Sequence, residues 1–319
     1  MEEVPVIKTE SLSKRYGVLF WKKKNLSLDQ LSITVPRGAV FGFLGPNGAG
    51  KTTTIKLLMD LIHPTSGSAE VLGKPVWDPS VRRRIGFLPD APAFNGLMTA
   101  SEFLNVCAKL LKMSKAERKK RVPEVLETVR MTASADDKLG GFSRGMLQRI
   151  GVAQAILNKP DLLILDEPLL GLDPYGRQEL KRIIREQNKL GTTVFFSSHI
   201  LADVQEICDH AAILNRGRLL CSGKLGDLLG SQGISVRLTD GDDLVRDLLP
   251  EAKECQKKGP HEWELTFEKT PDSEKRLQEL KEKHAGKVEV VEQWESLEDF
   301  FFEKIEQDNG GEAGKEAKE

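Results

Sequence analysis

Apolar and polar positions along this chain switch between two periods. Val40–Leu44 is a continuous apolar run and predicts a buried strand. Behind it Ile55, Leu58, Met59 and Ile62 recur at helical spacing, which predicts a helix starting near Gly50. Residues 4–10 alternate as an edge strand, and residues 31–35 predict another, turned by Pro36-Arg37-Gly38. Turn chemistry at His63-Pro-Thr-Ser-Gly67 is followed by short strands over 69–72 and Ile85–Leu88. Residues 101–130 then read as helical. Phe103, Val106 and Leu110 share one face; Ser114 and Glu117 have capping-box spacing; Val122, Val125, Leu126 and Val129 come next at i, i+3, i+4 and i+7. This helical block interrupts a strand–helix pattern. The pattern resumes with a helix marked by Met146, Ile150, Ala153 and Leu157, a fully apolar strand at Leu162–Leu165, and a strand over 192–197.

Beyond Asn215-Arg216-Gly217, which reads as a hairpin turn, Gly230-Ser-Gln-Gly233 marks a boundary. It divides a domain over 1–230, with its helical insert at about 91–145, from a small α+β domain over 231–305. In the latter, Ile234, Val236 and Leu238 predict a strand, residues 244–249 a helix, and 252–257 a weak strand. Trp263, Leu265 and Phe267 alternate as a strand, Leu277 and Leu280 mark a helix, and Val288 and Val290 a last strand. The order β-α-β-β-α-β is compatible with a ferredoxin-like domain. Ser296 caps an amphipathic helix carrying Phe300, Phe301 and Phe302, and residues 306–319 read as a disordered tail.

Composition narrows the partners. Lys+Arg 47 against Asp+Glu 48 leaves a net charge of −1, so no basic excess points to nucleic acid. Cys107, Cys208, Cys221 and Cys255 have no C-x-x-C spacing and read as reduced structural thiols. No stretch reaches the ~18–20 apolar residues that span a bilayer, and the acidic start Met1-Glu2-Glu3 carries no signal-peptide pattern. If the protein works at a membrane, another chain supplies the membrane part.

The chemistry begins between the Val40–Leu44 strand and its helix. Gly45, Pro46, Asn47, Gly48, Ala49, Gly50, Lys51, Thr52 and Thr53 carry the G-x4-G-K-T pattern of a P-loop. Its glycines let backbone N–H groups form a concave nest for phosphate oxygens at a helix N-terminus. Lys51 is placed to reach β- and γ-phosphates, and the Thr52 hydroxyl to hold Mg²⁺. Asp166 and Glu167 come directly after the Leu162–Leu165 strand, at the end where parallel sheets place ligands. One carboxylate can hold Mg²⁺ through water and the other deprotonate an attacking water. Ser143 and Gly145 open a helix and suit either phosphate binding or an ordinary Ser N-cap. His199 arrives at the end of a further strand. Tyr16 suits stacking on an adenine ring, though alone it reads as a surface aromatic, and Phe20 to Lys24 reads as a solvated loop.

Together these residues resemble the ATP-binding cassette of ABC transporters over roughly residues 4–225. The resemblance implies an α/β fold: a P-loop cassette with a mixed sheet core, an antiparallel β subdomain and an inserted helical subdomain. It places Tyr16 at the adenine-stacking aromatic, residues 45–53 at Walker A, and Asp90 at the Q-loop position. Ser143-Arg144-Gly145 falls at the signature core, Asp166 and Glu167 at the Walker B Asp and catalytic Glu, Asp173 at the D-loop, and His199 at the switch histidine. It further implies ATP and Mg²⁺ as cofactors, with Thr52, Asp166 and Asp90 on the metal and Lys51, Glu167 and His199 in catalysis. The expected partners are a second cassette, as homodimer or pair, sandwiching two ATPs head to tail, and a separate integral-membrane subunit. The protein is then cytoplasmic, peripheral on the inner face of the membrane. The Leu297-Glu298-Asp299 ending resembles an exporter-like branch and favours export. Two positions depart from the family: Asp90 replaces the Q-loop glutamine, and the signature reads Phe142-Ser-Arg-Gly-Met146. A soluble ABC-type ATPase acting on ribosomes or DNA is the alternative, against which stand the single uninterrupted cassette and the lack of a basic face. A binding module without hydrolysis is a third class, and Glu167 and His199 argue against it.

Overall fold

The structure, a computed structural model, describes residues 4–17, 25–229, 231–239, 242–267, 270–284, 287–294 and 296–316. The Phe20 to Lys24 loop lies outside the described residues. Two compact units form, one comprising residues up to Leu225 together with those from Lys304 onward, the other Gly226–Glu303.

The first unit is built on a six-stranded sheet in the order Arg218–Lys224, His210–Asn215, Val40–Leu44, Thr193–Ser198, Leu162–Leu165, Ile85–Leu88. All neighbours are parallel except the hairpin of the first two. The four strands from Val40–Leu44 to Ile85–Leu88 therefore discharge their following loops at one sheet edge. Strands buried on both faces must be apolar throughout, and Val40–Leu44 and Leu162–Leu165 are buried at every position. Phe195 fills the middle of the sheet, 5.7 Å from the Phe41 ring and 5.1 Å from Phe43.

Beside it lies a five-stranded antiparallel sheet in which Ile7–Tyr16 pairs with Asn25–Leu31, Thr34–Val35 and Ser66–Val71. Residues 4–10 thus open an interior strand, not the edge strand expected. Alternation reports a half-buried face, and it carries no information on whether both backbone edges are paired.

The helical block consists of Ala100–Leu110, Lys115–Thr128 and Arg144–Ala155, the first two opened by capping boxes at Thr99/Glu102 and Ser114/Glu117. The Arg121 guanidinium donates to the carbonyls of Ile156 and Leu157 at 2.6 and 3.0 Å, tying down the chain just past the end of the third helix. In the first helix Leu104 and Ala108 are buried, whereas Leu110, on the Phe103 face, is exposed.

The second unit has the strands Ser231–Thr239, Glu254–Gly259, Glu262–Phe267 and Val288–Trp294, with the helices Asp242–Leu248 and Pro271–Lys283 between them. In chain order its sheet runs second, third, first, fourth strand, all neighbours antiparallel, which is a ferredoxin-like winding. Val236, Leu238, Leu265, Phe267 and Leu277 form its separate core.

The final helix, Leu297–Glu316, continues past residue 306, where the sequence reads as disordered. Composition there is polar and includes Gly310, Gly311 and Gly314, which disfavour a helix, and a tertiary contact acts against this. Asp308 accepts a hydrogen bond at 2.8 Å from the Asn215 amide, and Asn215 is buried. Asp308→Ala strands that buried donor and is expected to lower unfolding stability by about 1–3 kcal/mol, measured by urea denaturation of the full chain. An unchanged midpoint would show that the contact contributes nothing.

Candidate functional site

The P-loop joins Val40–Leu44 to the helix Lys51–Leu58. Gly48 and Gly50 take φ of +82° and +109°, a region that only glycine enters without strain, and this curls the loop into its nest. A Cβ at Gly50 would lie 2.7 Å from the Ser27 carbonyl oxygen. From the other side Gly217 N–H donates to the Ala49 carbonyl at 2.9 Å, so the hairpin turn holds the loop. The Lys51 ammonium is 6% exposed; it donates to the carbonyls of Gly45 at 2.7 Å and Pro46 at 3.3 Å. It also pairs with Glu167 Oε1 at 3.2 Å.

Three neighbouring strands bring the remaining groups to this edge. Leu162–Leu165 delivers Asp166, 2% exposed, whose Oδ1 lies 3.4 Å from Thr52 Oγ1. Burial pushes the Asp166 carboxyl above its ordinary value, and the charges of Asp90 and Glu167 add to this. Hydrogen bonds from Ser197 and Thr52 oppose it. Glu167 comes next with φ of +48°, a left-handed conformation that costs about 1–2 kcal/mol for a residue with a Cβ. Thr193–Ser198 leads to His199, whose Nδ1 is 2.9 Å from Glu167 Oε2. Ile85–Leu88 leads to Asp90, exposed, which lines one cleft with Lys51, Thr52, Glu167 and His199.

Other expected residues lie elsewhere. Ser143 is the N-cap of Arg144–Ala155, accepting from Met146 N–H at 3.3 Å. Neither it nor Gly145 lines the P-loop cleft. Arg144 lies over Gly171, close enough that a Cβ there would come within 2.6 Å of its guanidinium. Gly145 faces Leu172, so the start of this helix packs on the segment that leads to Asp173. Asp173 caps the helix Pro174–Lys189 through Gly176 N–H at 2.7 Å. Tyr16 is 40% exposed with the Lys14 ammonium 5.4 Å from its ring centre, and it does not line the cleft.

Two site residues escaped the sequence reading. Ser27 Oγ lies 2.9 Å from Thr53 Oγ1 at the cleft wall. Ser197, fully buried, bridges Asp166 and Glu167. The only signal for Ser197 was a hydroxyl directly after the apolar centre Val194–Phe196 of its strand.

The oxygen donors Thr52, Asp166 and Asp90 suit a hard cation such as Mg²⁺. Among the described residues no group of three His, Cys, Asp or Glu is preassembled to hold a metal. That fits a cation carried by one or two carboxylates together with substrate phosphates.

A phosphate nest with its lysine, together with two carboxylates at the end of a nearby parallel strand, defines a P-loop ATPase. The family model "ABC transporter" matches residues 28–170. An uncharacterized ABC transporter ATP-binding protein of Synechocystis sp. is 45% identical over 242 residues, 75% of this chain and 68% of that protein. Nod factor export ATP-binding protein I of Cupriavidus metallidurans is 34% identical over 260 residues, 80% and 84% of the two chains. The solved dimeric structure of a bacterial ABC transporter cassette matches with a TM-score of 0.63 at 25% identity, covering 69% of this chain and 98% of that one. The chain belongs to the ABC transporter family and is an ATP-binding subunit of it.

Proposed function

We propose that this subunit hydrolyses Mg²⁺-ATP in a head-to-tail pair of cassettes and so drives export through a separate membrane-spanning chain. The observation that carries the reading is the convergence of Lys51, Thr52, Asp166, Glu167 and His199 at one sheet edge, while Ser143 and Gly145 do not line that cleft. A signature apart from its own P-loop is available to the P-loop of a second copy, and the similar bacterial cassette is a dimer. Bound Mg²⁺ would supply positive charge to offset the phosphates, and Thr52 and Asp166 are the residues that would hold it. The P-loop N–H groups bind the phosphates and Lys51 compensates their charge. Glu167 takes the proton of the attacking water, and His199 orients the Glu167 carboxylate and senses the γ-phosphate. Tyr16 offers an exposed ring for adenine. No helix among the described residues is long and apolar enough to cross a membrane, and we assign the translocation path to a partner, the protein lying at the inner face of the membrane. The relative named for Nod factor export supports the direction.

Asp90 is assigned to the metal side of the cleft. A carboxylate beside a triphosphate repels it unless a cation compensates. ATP turnover should therefore vanish in EDTA, and Asp90→Asn, which keeps the turn chemistry and removes the charge, should shift half-saturation by Mg²⁺. Turnover that survives chelation would overturn the reading. Superimposable Mg²⁺ titrations would leave Asp90 as a turn residue.

A further inference from the structure

We propose that Ser197 is a positioning residue for hydrolysis, fixing the spacing of Asp166 and Glu167 through one hydroxyl. Ser197 Oγ donates to Asp166 Oδ1 at 2.7 Å and accepts from Glu167 N–H at 2.8 Å. The side chain is fully buried, so water does not substitute for either bond. A serine hydroxyl has a single proton. Here it goes to the carboxylate, while a lone pair takes the peptide N–H of the next residue. A buried serine with a merely structural role commonly bonds its own backbone a turn or a strand away. This one instead directs both bonds to consecutive acidic residues beyond another strand.

The second bond acts at a left-handed residue. Glu167 holds φ of +48°, and in that conformation its carboxylate meets Lys51 Nζ at 3.2 Å and His199 Nδ1 at 2.9 Å. Anchoring the Glu167 N–H keeps the peptide turned so that Asp166 faces Thr52 while Glu167 faces Lys51 and His199. Ser197 sits two residues before His199 on the same strand end, so one short segment orients the metal-side carboxylate, the base and its histidine. The inference rests on the roles proposed for Asp166 and Glu167 in hydrolysis.

The test compares Ser197→Ala and Ser197→Thr with wild type. Ser197→Ala should lower kcat by roughly 10–100-fold, the scale of a small misplacement in a catalytic constellation. KM for ATP should change little, the thermal midpoint should fall because the Glu167 N–H loses its acceptor, and the Mg²⁺ concentration for half-maximal turnover should rise. Independently of activity, hydrogen exchange of the peptide containing Glu167 should quicken, because its N–H loses an acceptor. Ser197→Thr restores the hydroxyl and should recover most of kcat. Wild-type kcat and Mg²⁺ dependence in Ser197→Ala would overturn the proposal, as would equal impairment by Ala and Thr, which would mean packing alone. If Ser197→Ala does not fold, Ser197→Cys decides, because it keeps the volume with a weak donor. Lowered kcat at unchanged KM supports the role, and wild-type kcat refutes it. Failure of the underlying reading is distinguishable, because then Glu167→Gln would also leave turnover intact.

Discussion

Glu167→Gln is expected to cut ATP turnover by about 10²–10⁴-fold, the contribution of a positioned general base, while ATP binding persists. The amide keeps the shape of the carboxylate and can still meet His199, but it cannot take a proton from water. Lys51 loses its partner at 3.2 Å and keeps the Gly45 and Pro46 carbonyls, so the P-loop itself is not dismantled. Removing a negative charge beside the phosphates also weakens a repulsion, which favours retention of nucleotide. With hydrolysis blocked, the sandwich of two cassettes should accumulate and elute as a dimer in gel filtration with ATP and Mg²⁺. Turnover within a few-fold of wild type would remove Glu167 from the base role. A variant that stays monomeric at saturating ATP would contradict the paired arrangement.

Gly86→Ala is expected to destabilise the nucleotide-binding unit by about 3 kcal/mol, the upper range for overpacking a close-packed interior. Gly86 lies in the Ile85–Leu88 strand, and a Cβ there would stand 2.0 Å from the Ala155 carbonyl oxygen. Main chain cannot rotate aside as a side chain can, so either the strand or the end of Arg144–Ala155 must move. That helix begins at Ser143, and the strand ends next to Asp90. The same glycine therefore sets how closely the helix capped by Ser143 approaches the strand that leads to Asp90. Gly141→Ala is the control: nothing lies within 4 Å of its Cβ position, and its cost should stay within about 0.5 kcal/mol. Urea denaturation of both variants gives the comparison, and a Gly86→Ala midpoint equal to wild type would refute the packing argument.

These effects divide by how far apart in sequence their causes lie. The phosphate nest was legible because consecutive residues build it, with glycines at the positions that need positive φ and a lysine and threonine at the helix start. Asp166 and Glu167 were legible because an apolar four-residue run is a buried strand, and the residues directly after such a strand emerge at the sheet edge. The helix caps at Ser114 and Ser143 were legible for the same local reason. In the second unit the alternation of apolar residues prescribed the order of strands and helices.

Only the tertiary structure decided which of these groups meet. Thr52 and Asp166 are 114 residues apart and touch because their strands leave the same sheet edge, separated by the strand that carries Ser197. That intervening strand gives Ser197 its two partners, and no local pattern encodes which strand inserts between two others. Backbone pairing likewise made Ile7–Tyr16 an interior strand, since alternation shows a buried face and is silent on the edges. Nothing local to Arg144 names its neighbour, yet it lies over Gly171, a glycine with φ of +71° whose missing Cβ admits it. The final helix outran its polar composition with a contact from Asp308 to Asn215, 93 residues earlier. In each case the sequence determined the local conformation and the chemistry available. The pairing of distant segments, which depends on sheet order and on the space that glycines leave open, determined what that chemistry touches.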